Sequence, residues 1–554
     1  MSPRRLWSWL LVAAMALSAC TASAPPSPGS AARGGTLIVA WWSEPAGLMP
    51  YTVSQLPARI LNHFAVEGLI AVSPDGEYQP WLAKQVPTIA NGDVRVLPSG
   101  KLDVTYRLVA GVTWSDGKAL TSDDVKFTWQ FVMKEPTVFS RDGYDRIESI
   151  DLPDATTAVV HFDSIYAAFL TLFEHVLPRH VLDGVPDVAK TDYARRPIGT
   201  GPFRITEFAA GDHLTMERNP AFRRPGVPLL DGIVFRFIPS RATALLQLKA
   251  GEVDAMQGLL ESDATEIEKS GDVRLAIGSS SRVFRLEFNL AKPGNPADAR
   301  VPHPILGDIT MRHALALATP KKQLIDSILG GKAEIANSIL SIGWAAPKDL
   351  HQESYDAARA KQILDAAGWT VGRDGVREKG GVRAVLTISA PTNDPARERI
   401  EQVLIDEWRG IGVQLTIRNH PTAVLFAIDG PVRQGDFDMD MYAEAILIDP
   451  QARMVGRYHT KNIPTPANKV GLNWNRFGTA EVDALLDKAA SVVDRPERAA
   501  IYRQILMLVN DNYLNVWLYA EQNIDGFRPN VGGYTRSNPW MTFGWDAENW
   551  YVRR

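Results

Sequence analysis

The densest run of side chains that could do chemistry lies between residues 436 and 444, where acids alternate with apolar residues. The acids are Asp436, Asp438, Asp440 and Glu444. Carboxylates at this spacing are typical of a calcium-binding EF-hand loop, but that loop needs glycine where Met441 stands and an acid where Leu447 stands. Period two is the period of a β-strand, so the pattern predicts a half-buried strand with an acidic face rather than a metal site.

Motifs of the common catalytic nucleophiles and of phosphate-binding loops are missing from the sequence. It contains no G-x-S-x-G, H-E-x-x-H, C-x-x-C or G-x-x-x-x-G-K-[ST]. Gly330-Gly331-Lys332-Ala333 lacks the earlier glycine and the hydroxyl residue of a phosphate loop, and indicates the end of a helix instead. His175 and His180 are five residues apart, which suits no common pair of helical metal ligands. We therefore expect no enzyme, no metal site and no bound cofactor.

The single cysteine of the chain, Cys20, indicates where the protein works. It follows an arginine pair and an apolar run from Trp9 to Leu17, which is too short for a bilayer core of about 30 Å. This layout is typical of a secretory signal, here residues 1–19, and its end, Leu17-Ser18-Ala19-Cys20, resembles a bacterial lipobox. We expect a lipidated Cys20 and a flexible tether over residues 20–33, outside the cytoplasm; an ordinary signal with a chance cysteine is the alternative.

The elements that must position any site belong to a large folded chain. Its 554 residues exceed what one hydrophobic core usually serves, so two or three domains are expected. The apolar fraction of 45% and the charged fraction of 22% are typical of globular proteins. A net charge of −4 gives no electrostatic reason to expect a nucleic-acid partner.

Strand-like and helix-like patterns alternate from Gly34 onward, which predicts a mixed α/β fold. The predicted strands include residues 35–42, 103–110 and 413–417. Thr121 and Asp124 have the spacing of a capping box and predict the start of a helix. Further helices are predicted over residues 356–367, 395–409, 480–493 and 496–510.

Several short segments, in chain order, carry a resemblance that covers the chain from about residue 34 to its end. They include Gly34-Gly35-Thr36-Leu37, Glu67-Gly68-Leu69, Pro80-Trp81-Leu82-Ala83, Gly111-Val112-Thr113-Trp114-Ser115-Asp116-Gly117, Gly199-Thr200-Gly201-Pro202-Phe203, Arg218-Asn219-Pro220, Gly251-Glu252-Val253-Asp254, Met311-Arg312-His313-Ala314-Leu315, Ala366-Ala367-Gly368-Trp369 and Val531-Gly532-Gly533-Tyr534. Together they resemble the extracytoplasmic solute-binding proteins of ABC transporters, in particular the dipeptide/oligopeptide-binding family (family 5).

The resemblance implies an α/β, two-lobed clamp of the periplasmic-binding-protein type (type II, large class), with a ligand cleft between the lobes and an extra inserted subdomain. The implied division is lobe I over residues 34–73, 196–278 and 515–554, the inserted subdomain over 74–195, and lobe II over 279–514. It also implies a monomer whose partners are an ABC permease in the membrane and a small-molecule or peptide ligand.

In peptide-binding members of that family, one loop supplies backbone hydrogen bonds to an extended peptide and an aspartate for its α-ammonium. The loop ends near an Asp-Pro pair, matched here by Asp449-Pro450, and the aspartate would fall at Ile446 or Leu447. The usual ammonium ligand is therefore missing or replaced. Glu444 and Glu521 are the candidate replacements, because a buried ammonium needs a paired carboxylate; the alternative is that both are solvated surface acids.

The resemblance implies further residues at the cleft. The candidates are Tyr51, Ser54 and Gln55 after the first strand, His420 and Arg433 in the second lobe, and Ala445 and Ile446 beside Glu444. Trp41, Trp42 and Trp474 are candidate apolar walls, although such residues are more often core.

The leading hypothesis is a lipid-anchored substrate-binding component of an ABC importer, which captures oligopeptides or peptide-like solutes by lobe closure. The nearest alternative keeps the fold and binds a sugar, an opine, a metal chelate or another small polar solute. A secreted hydrolase on a two-lobed scaffold is the alternative from a different class.

Overall fold

The computed structural model describes residues 33–295, 300–540 and 543–553. The predicted signal, the lipidation site Cys20 and the predicted tether up to residue 32 lie outside the described residues. Within these three ranges, no helix combines the length and hydropathy that a membrane-spanning segment needs.

Strands and helices alternate along the chain, as the sequence pattern predicts. The strands are β1 Thr36–Trp41, β2 Ile70–Val72, β3 Tyr78–Pro80, β4 Val94–Val96, β5 Leu102–Arg107, β6 Ile147–Asp154, β7 Thr157–Phe162, β8 Phe203–Ala209, β9 His213–Arg218, β10 Gly232–Phe237, β11 Ala255–Met256, β12 Arg274–Phe288, β13 Ala333–Glu334, β14 Thr370–Val371, β15 Arg377–Lys379, β16 Val382–Arg383, β17 Val385–Ser389, β18 Gln414–Ile417, β19 Met439–Ala445, β20 Asn515–Phe527, β21 Val531–Gly532 and β22 Tyr551–Val552. The helices are α1 Leu56–Asn62, α2 Ser122–Lys134, α3 Arg179–Leu182, α4 Arg241–Ala250, α5 Glu261–Ser270, α6 Ile309–Leu317, α7 Lys321–Ile328, α8 Ala357–Ala366, α9 Pro395–Gly410, α10 Thr422–Leu425, α11 Pro431–Gln434, α12 Gln451–Tyr458, α13 Ala480–Ser491 and α14 Arg495–Asp511.

One large mixed sheet runs through the molecule. Its strand order is β18-β17-β19-β12-β20-β11-β1-β10-β9-β8, and β13 pairs with β20 beside this path. The antiparallel strands β12 and β20, of 15 and 13 residues, are its longest members and connect its two halves. Their register shifts between Ser279 and Val283, so the connection is irregular near its middle.

Separate hydrophobic clusters pack on the different parts of this framework. Leu37, Phe235 and Trp550 belong to the cluster on β1 and β10, whereas Leu386 and Trp408 belong to the cluster around β17, β19 and α9. A four-stranded antiparallel sheet, β4-β5-β7-β6, has a core of its own with α2. The chain thus has several cores, as its length predicts.

Local sequence signals account for many of the element boundaries. Helix α2 begins after Thr121, whose amide donates to Oδ2 of Asp124 at 2.9 Å, as the predicted capping box requires. Helix α8 begins after Asp356, whose carboxylate accepts from the amide of Arg359 at 2.8 Å, and it ends before Gly368. The mixed α/β class and these predicted elements are confirmed.

Candidate functional site

Three strands meet where the two halves of the main sheet join. Ala445 of β19 pairs with Arg282 of β12, and the amide of Ile446 donates to the carbonyl of Ser281 at 2.9 Å. Arg282 also reaches β20, where its Nε lies 3.3 Å from Oε2 of Glu521. Three of the predicted ligand residues, Ala445, Ile446 and Glu521, therefore lie around Arg282.

One edge of β19 lacks a partner strand over most of its length. Strand β12 pairs with β19 from Met439 to Ala445, whereas β17 reaches only Met439 and Asp440 on the other side. In the part of the chain that the structure describes, no strand pairs with residues 441–445 on the side away from β12. Backbone groups on this side are free of ladder bonds, which is the arrangement that an extended peptide can join as an added strand.

Glu444 points into a buried ion cluster. Its carboxylate oxygens lie 2.6 Å from Nη2 of Arg285 and 2.7 Å from guanidinium nitrogens of Arg453 and Arg457. Burial by itself raises the pKa of this carboxyl, but the three guanidinium groups outweigh burial and lower the pKa to about 2. The solvated position considered for Glu444 is therefore wrong: the side chain is only 4% exposed.

Asp440 also departs from the predicted acidic face in solvent. It is fully buried, and neither of its carboxylate oxygens has a hydrogen-bond partner among the described residues. Burial first, and next the charge of Glu287, raise the pKa of Asp440 well above its usual range. This direction favours the neutral form of the carboxyl group. The strand prediction was right in period but wrong in expecting a solvated acidic face, since Asp440 and Glu444 are buried as well as Met439 and Met441.

Aromatic rings surround the arginines of this cluster. The guanidinium of Arg457 lies 4.1 Å from the ring centroid of Trp474, and that of Arg285 lies 4.5 Å from the ring of Tyr442. Arg433, one of the predicted ligand residues, lies on the same indole at 5.8 Å and donates through Nε to the carbonyl of Phe426 at 3.1 Å. Arg433 is thus connected to Glu444 through Trp474 and Arg457. Trp474 itself is buried in this cluster.

Glu521 differs from Glu444 in how its charge is balanced. Its side chain is 21% exposed, and Arg282 is the one cation that forms an ion pair with it in the described ranges. Burial raises the pKa of Glu521, and the nearby Arg282 lowers it less than burial raises it. The carboxylate is thus only partly compensated, which is the condition under which a ligand cation would be attracted.

The remaining candidates lie elsewhere. Tyr51 packs in the core of the four-stranded sheet, and its hydroxyl donates to the carbonyl of His175 at 2.5 Å. Ser54 is exposed, and Oε1 of Gln55 accepts from the amide of Ala46 at 2.8 Å. In the described part of the chain, none of these three forms a hydrogen bond with Glu444 or Glu521.

His420 follows β18, and its amide donates to the carbonyl of Ala390 at 3.0 Å. Its Nε2 is buried without a hydrogen-bond partner among the described residues. Trp41 is fully buried in the core on β1, whereas Trp42 is 43% exposed. The ligand roles of these residues stay predictions.

Sequence reasoning missed a close contact between distant segments. Gly76, in the turn between β2 and β3, has a positive φ of 80°, and a Cβ there would lie 2.3 Å from Cα of Gly343 and 2.6 Å from the ring of Trp540. A turn signal identifies such a glycine, but no local pattern indicates its distant neighbours.

A buried ion pair beside the predicted loop was missed as well. Asp449, the acid of the Asp-Pro pair, lies 2.7 and 2.9 Å from guanidinium nitrogens of Arg498. Nη1 of Arg498 also donates to the carbonyl of Ala167 at 3.2 Å, so this pair ties the loop after β19 to the four-stranded-sheet region.

Comparisons with known proteins now bear on this geometry. The family described as "Bacterial extracellular solute-binding proteins, family 5 Middle" matches residues 77–464. The chain belongs to this family. Members are, by that description, extracellular, and the resemblance that the motifs carry is confirmed.

Relatives of the family-5 protein match it over nearly its whole length. The oligopeptide-binding protein AppA of Bacillus subtilis is 24% identical, covering 99% of this chain and 98% of AppA. The structure of AppA in complex with a nonapeptide has a TM-score of 0.65 at 22% identity, covering 95% of this chain and 100% of that one.

Two further solved structures have higher TM-scores. The ABC transporter substrate-binding protein CtaP of Listeria monocytogenes has a TM-score of 0.77 at 23% identity, covering 94% of this chain and 100% of that one. NikA of Brucella suis, solved in complex with Fe(III)-EDTA, has a TM-score of 0.75 at 20% identity and the same coverage. The predicted fold class, the α/β two-lobed solute-binding fold, is confirmed.

Proposed function

We propose that this family-5 protein is the substrate-binding component of an ABC importer and captures oligopeptides or peptide-like solutes. The observation that carries the proposal is the unpaired edge of β19 over residues 441–445, next to the strands that connect the two halves of the sheet. An extended peptide would add to this edge through main-chain hydrogen bonds, which depend little on its side chains. The nonapeptide in the structure of AppA supports the same class of cargo.

Glu521 is the proposed ligand of the peptide's α-ammonium. The choice rests on charge: Glu444 is already held by three arginines, whereas Glu521 has one partner, Arg282, at 3.3 Å. An ammonium group that enters beside Glu521 would complete the compensation of a partly buried carboxylate. Ala445 and Ile446 would contribute backbone groups.

Closure would bring the proposed lobe I (residues 34–73, 196–278 and 515–554) and lobe II (residues 279–514) together on the solute. The irregular register of β12 and β20 near Ser279 supports a hinge at this place, because two strands bend more easily where their hydrogen-bond ladder is interrupted than where it is regular. The 15 tryptophans would report the change as altered intrinsic fluorescence when cargo is added.

The deciding experiment identifies the cargo directly. The chain without its first 20 residues is expressed and purified, then denatured, and the released small molecules are analysed by mass spectrometry. Mixed short peptides are the expected result, in an amount close to one per protein. A single non-peptide compound at that stoichiometry would overturn the choice of cargo and leave the family membership intact.

A second candidate keeps the fold and changes the cargo to a metal chelate or another small polar solute. Two observations favour it: the position of the usual ammonium ligand is occupied by Ile446 or Leu447, and NikA was solved with Fe(III)-EDTA. Both candidates use the same cleft, so the released-ligand experiment separates them.

The protein would be a monomer anchored through a lipid on Cys20 and would deliver its cargo to a membrane permease. The lipobox-like end of the signal supports the anchor. Replacing Cys20 by serine is expected to move the protein from the membrane fraction to the soluble extracytoplasmic fraction. An unchanged membrane fraction would contradict the anchor.

A further inference from the structure

Two histidines and a glutamate come together outside the proposed peptide-binding edge of β19. One ring nitrogen of His63, one ring nitrogen of His175 and one carboxylate oxygen of Glu174 all lie within 4.8 Å of one another. His63 follows the last residue of α1, whereas Glu174 and His175 belong to the segment before α3. The ring centroids of the two histidines are 5.2 Å apart, and both side chains are buried.

The hydrogen bonds around these groups leave donor atoms for a ligand. Nδ1 of His175 lies 3.2 Å from the carbonyl oxygen of Val66, to which it donates, so Nε2 carries the lone pair. In metal sites, a backbone carbonyl that accepts from one ring nitrogen of a histidine commonly orients the other nitrogen toward the metal. Nε2 of His63 lies 3.5 Å from Oε1 of Glu174, and Nδ1 of His63 is buried without a partner among the described residues.

We propose that His63, Glu174 and His175 form a site for a divalent transition-metal ion of the zinc, cobalt or nickel class. Two imidazoles and one carboxylate are a donor set that these ions prefer, whereas Ca²⁺ and Mg²⁺ prefer oxygen ligands throughout. Around a tetrahedral zinc ion with bonds of about 2.1 Å, neighbouring donors are about 3.4 Å apart. The three donors therefore need to approach by no more than about 1.4 Å, which side-chain rotations can supply.

A cavity borders the proposed site at His63. A cavity of about 410 Å³ is lined by His63 together with Trp81, Asp546 and Glu548. Asp546 would attract a cation toward His63, whereas Glu548 is already paired with Arg224, which lines the same cavity. The metal would tie α1 to the segment of residues 173–177, two parts of the chain that are more than 100 residues apart in sequence.

A neighbouring arginine competes for the carboxylate of Glu174. Nη2 of Arg59 donates to Oε1 of Glu174 at 2.8 Å, so this guanidinium occupies the carboxylate that the metal would use. The side chain of Arg59 is 42% exposed and is free to turn into solvent. Replacing Arg59 by glutamine should therefore strengthen metal binding, which a merely structural contact would not do.

The test is titration of the untagged protein, passed over a metal-chelating resin, with Zn²⁺ by calorimetry and with Co²⁺ by visible absorption. We expect one ion per chain, at least 10-fold weaker binding in Glu174→Gln and in His63→Gln, and at least 3-fold tighter binding in Arg59→Gln. His180→Gln is the matched control. His180 also contacts an acid, Asp116, at 2.8 Å, but it does not belong to the group of three metal-ligand atoms formed by His63, Glu174 and His175.

Three results would overturn the site. They are no stoichiometric binding at 100 µM metal, binding that Glu174→Gln leaves unchanged, and binding that Glu521→Gln removes, since that would place the ion in the peptide cleft. If His63→Gln does not fold, Glu174→Gln decides, because the side chain of Glu174 is 38% exposed and glutamine keeps its size.

Discussion

Replacing Glu444 by glutamine removes one negative charge and leaves the size of the side chain nearly unchanged. In the variant, Arg285 and Arg457 stay buried, with side chains 1% and 4% exposed, and two guanidinium groups share the one carboxylate that remains among the described residues, Glu287, at 3.1 and 3.8 Å. Removing one partner of a buried ion pair costs about 3–5 kcal/mol, because the charge left behind is out of water and loses part of its compensation. We expect the free energy of unfolding to fall by this amount at pH 7.

The pKa of Glu444 gives a second route to the same magnitude. Its pKa is about 2 in the folded protein, against an ordinary value of 4.5. Since one pKa unit corresponds to about 1.4 kcal/mol, the ionised carboxyl contributes about 3 kcal/mol of stability. The folded-state pKa is the lower one, so this contribution is complete above pH 4.5 and is lost as the pH falls toward 2.

The two routes combine in one assay. Urea unfolding of the wild type and of Glu444→Gln is followed by tryptophan fluorescence at pH 7, 5 and 3.5. The difference in free energy of unfolding should be about 3–5 kcal/mol at pH 7 and 5 and should shrink by roughly 1.4 kcal/mol for each pH unit below 4.5. Glu521→Gln is the control, because its single ion pair with the half-exposed Arg282 predicts a change below about 1 kcal/mol.

A difference below 1 kcal/mol at pH 7 would refute the view that Glu444 balances the buried arginines. A difference that stays constant down to pH 3.5 would refute the assigned pKa, because the variant and the wild type would then differ by something other than an ionised carboxyl.

Three further predictions concern other residues. Glu521→Gln should weaken binding of peptides with a free α-amino group at least 10-fold, measured by calorimetry, and leave N-acetylated peptides unaffected. Burial raises the pKa of Asp525 to about 6, so the free energy of unfolding of the wild type falls by about 3 kcal/mol as the pH rises from 4 to 6. Asp525→Asn should remove this fall, as measured by urea unfolding across the same pH range. Gly76→Ala should destabilise the protein more than Gly92→Ala in urea unfolding, because both glycines have a positive φ but only Gly76 has a neighbour, Gly343, within reach of a Cβ.

Each of these predictions has a result that would contradict it. An equal loss of affinity for peptides with a free α-amino group and for N-acetylated peptides in Glu521→Gln would show that this carboxylate does not recognise the ammonium group. The other two fail if Asp525→Asn keeps the wild-type pH profile, or if the two glycine variants are equally stable.

Sequence signals predicted the elements well wherever those signals are local. The capping box of Thr121 and Asp124 and the cap at Asp356 are satisfied by hydrogen bonds within three residues, so a short window of sequence contains both partners. Alternation over residues 436–444 likewise predicted a strand, and β19 is one. The period alone, however, indicates which residues share a face of the strand and does not indicate whether that face is exposed to solvent.

The buried acids of β19 were misjudged because their partners are distant in sequence. Glu444 is balanced by Arg285, 159 residues earlier, as well as by two arginines of α12. Asp440 has no hydrogen-bond partner among the described residues, and burial raises the pKa of its carboxyl group. Neither arrangement can be predicted from the local sequence, because the same alternating pattern results whether the acid on the strand faces water or a guanidinium group.

The ion cluster and the proposed peptide edge belong to one arrangement. An edge strand with unpaired backbone groups is held less firmly than a strand paired on both sides, and a loosely held edge would bind an extended peptide poorly because ordering it costs entropy. Glu444 lies within this edge, and its carboxylate ties β19 to Arg285 of β12 and to Arg453 and Arg457 of α12. The buried charges would therefore act on binding by fixing the backbone that receives the peptide, while Glu521 would act by direct contact. Since the first effect falls on every peptide and the second only on a free α-amino group, N-acetylated peptides should bind more weakly to Glu444→Gln and equally well to Glu521→Gln.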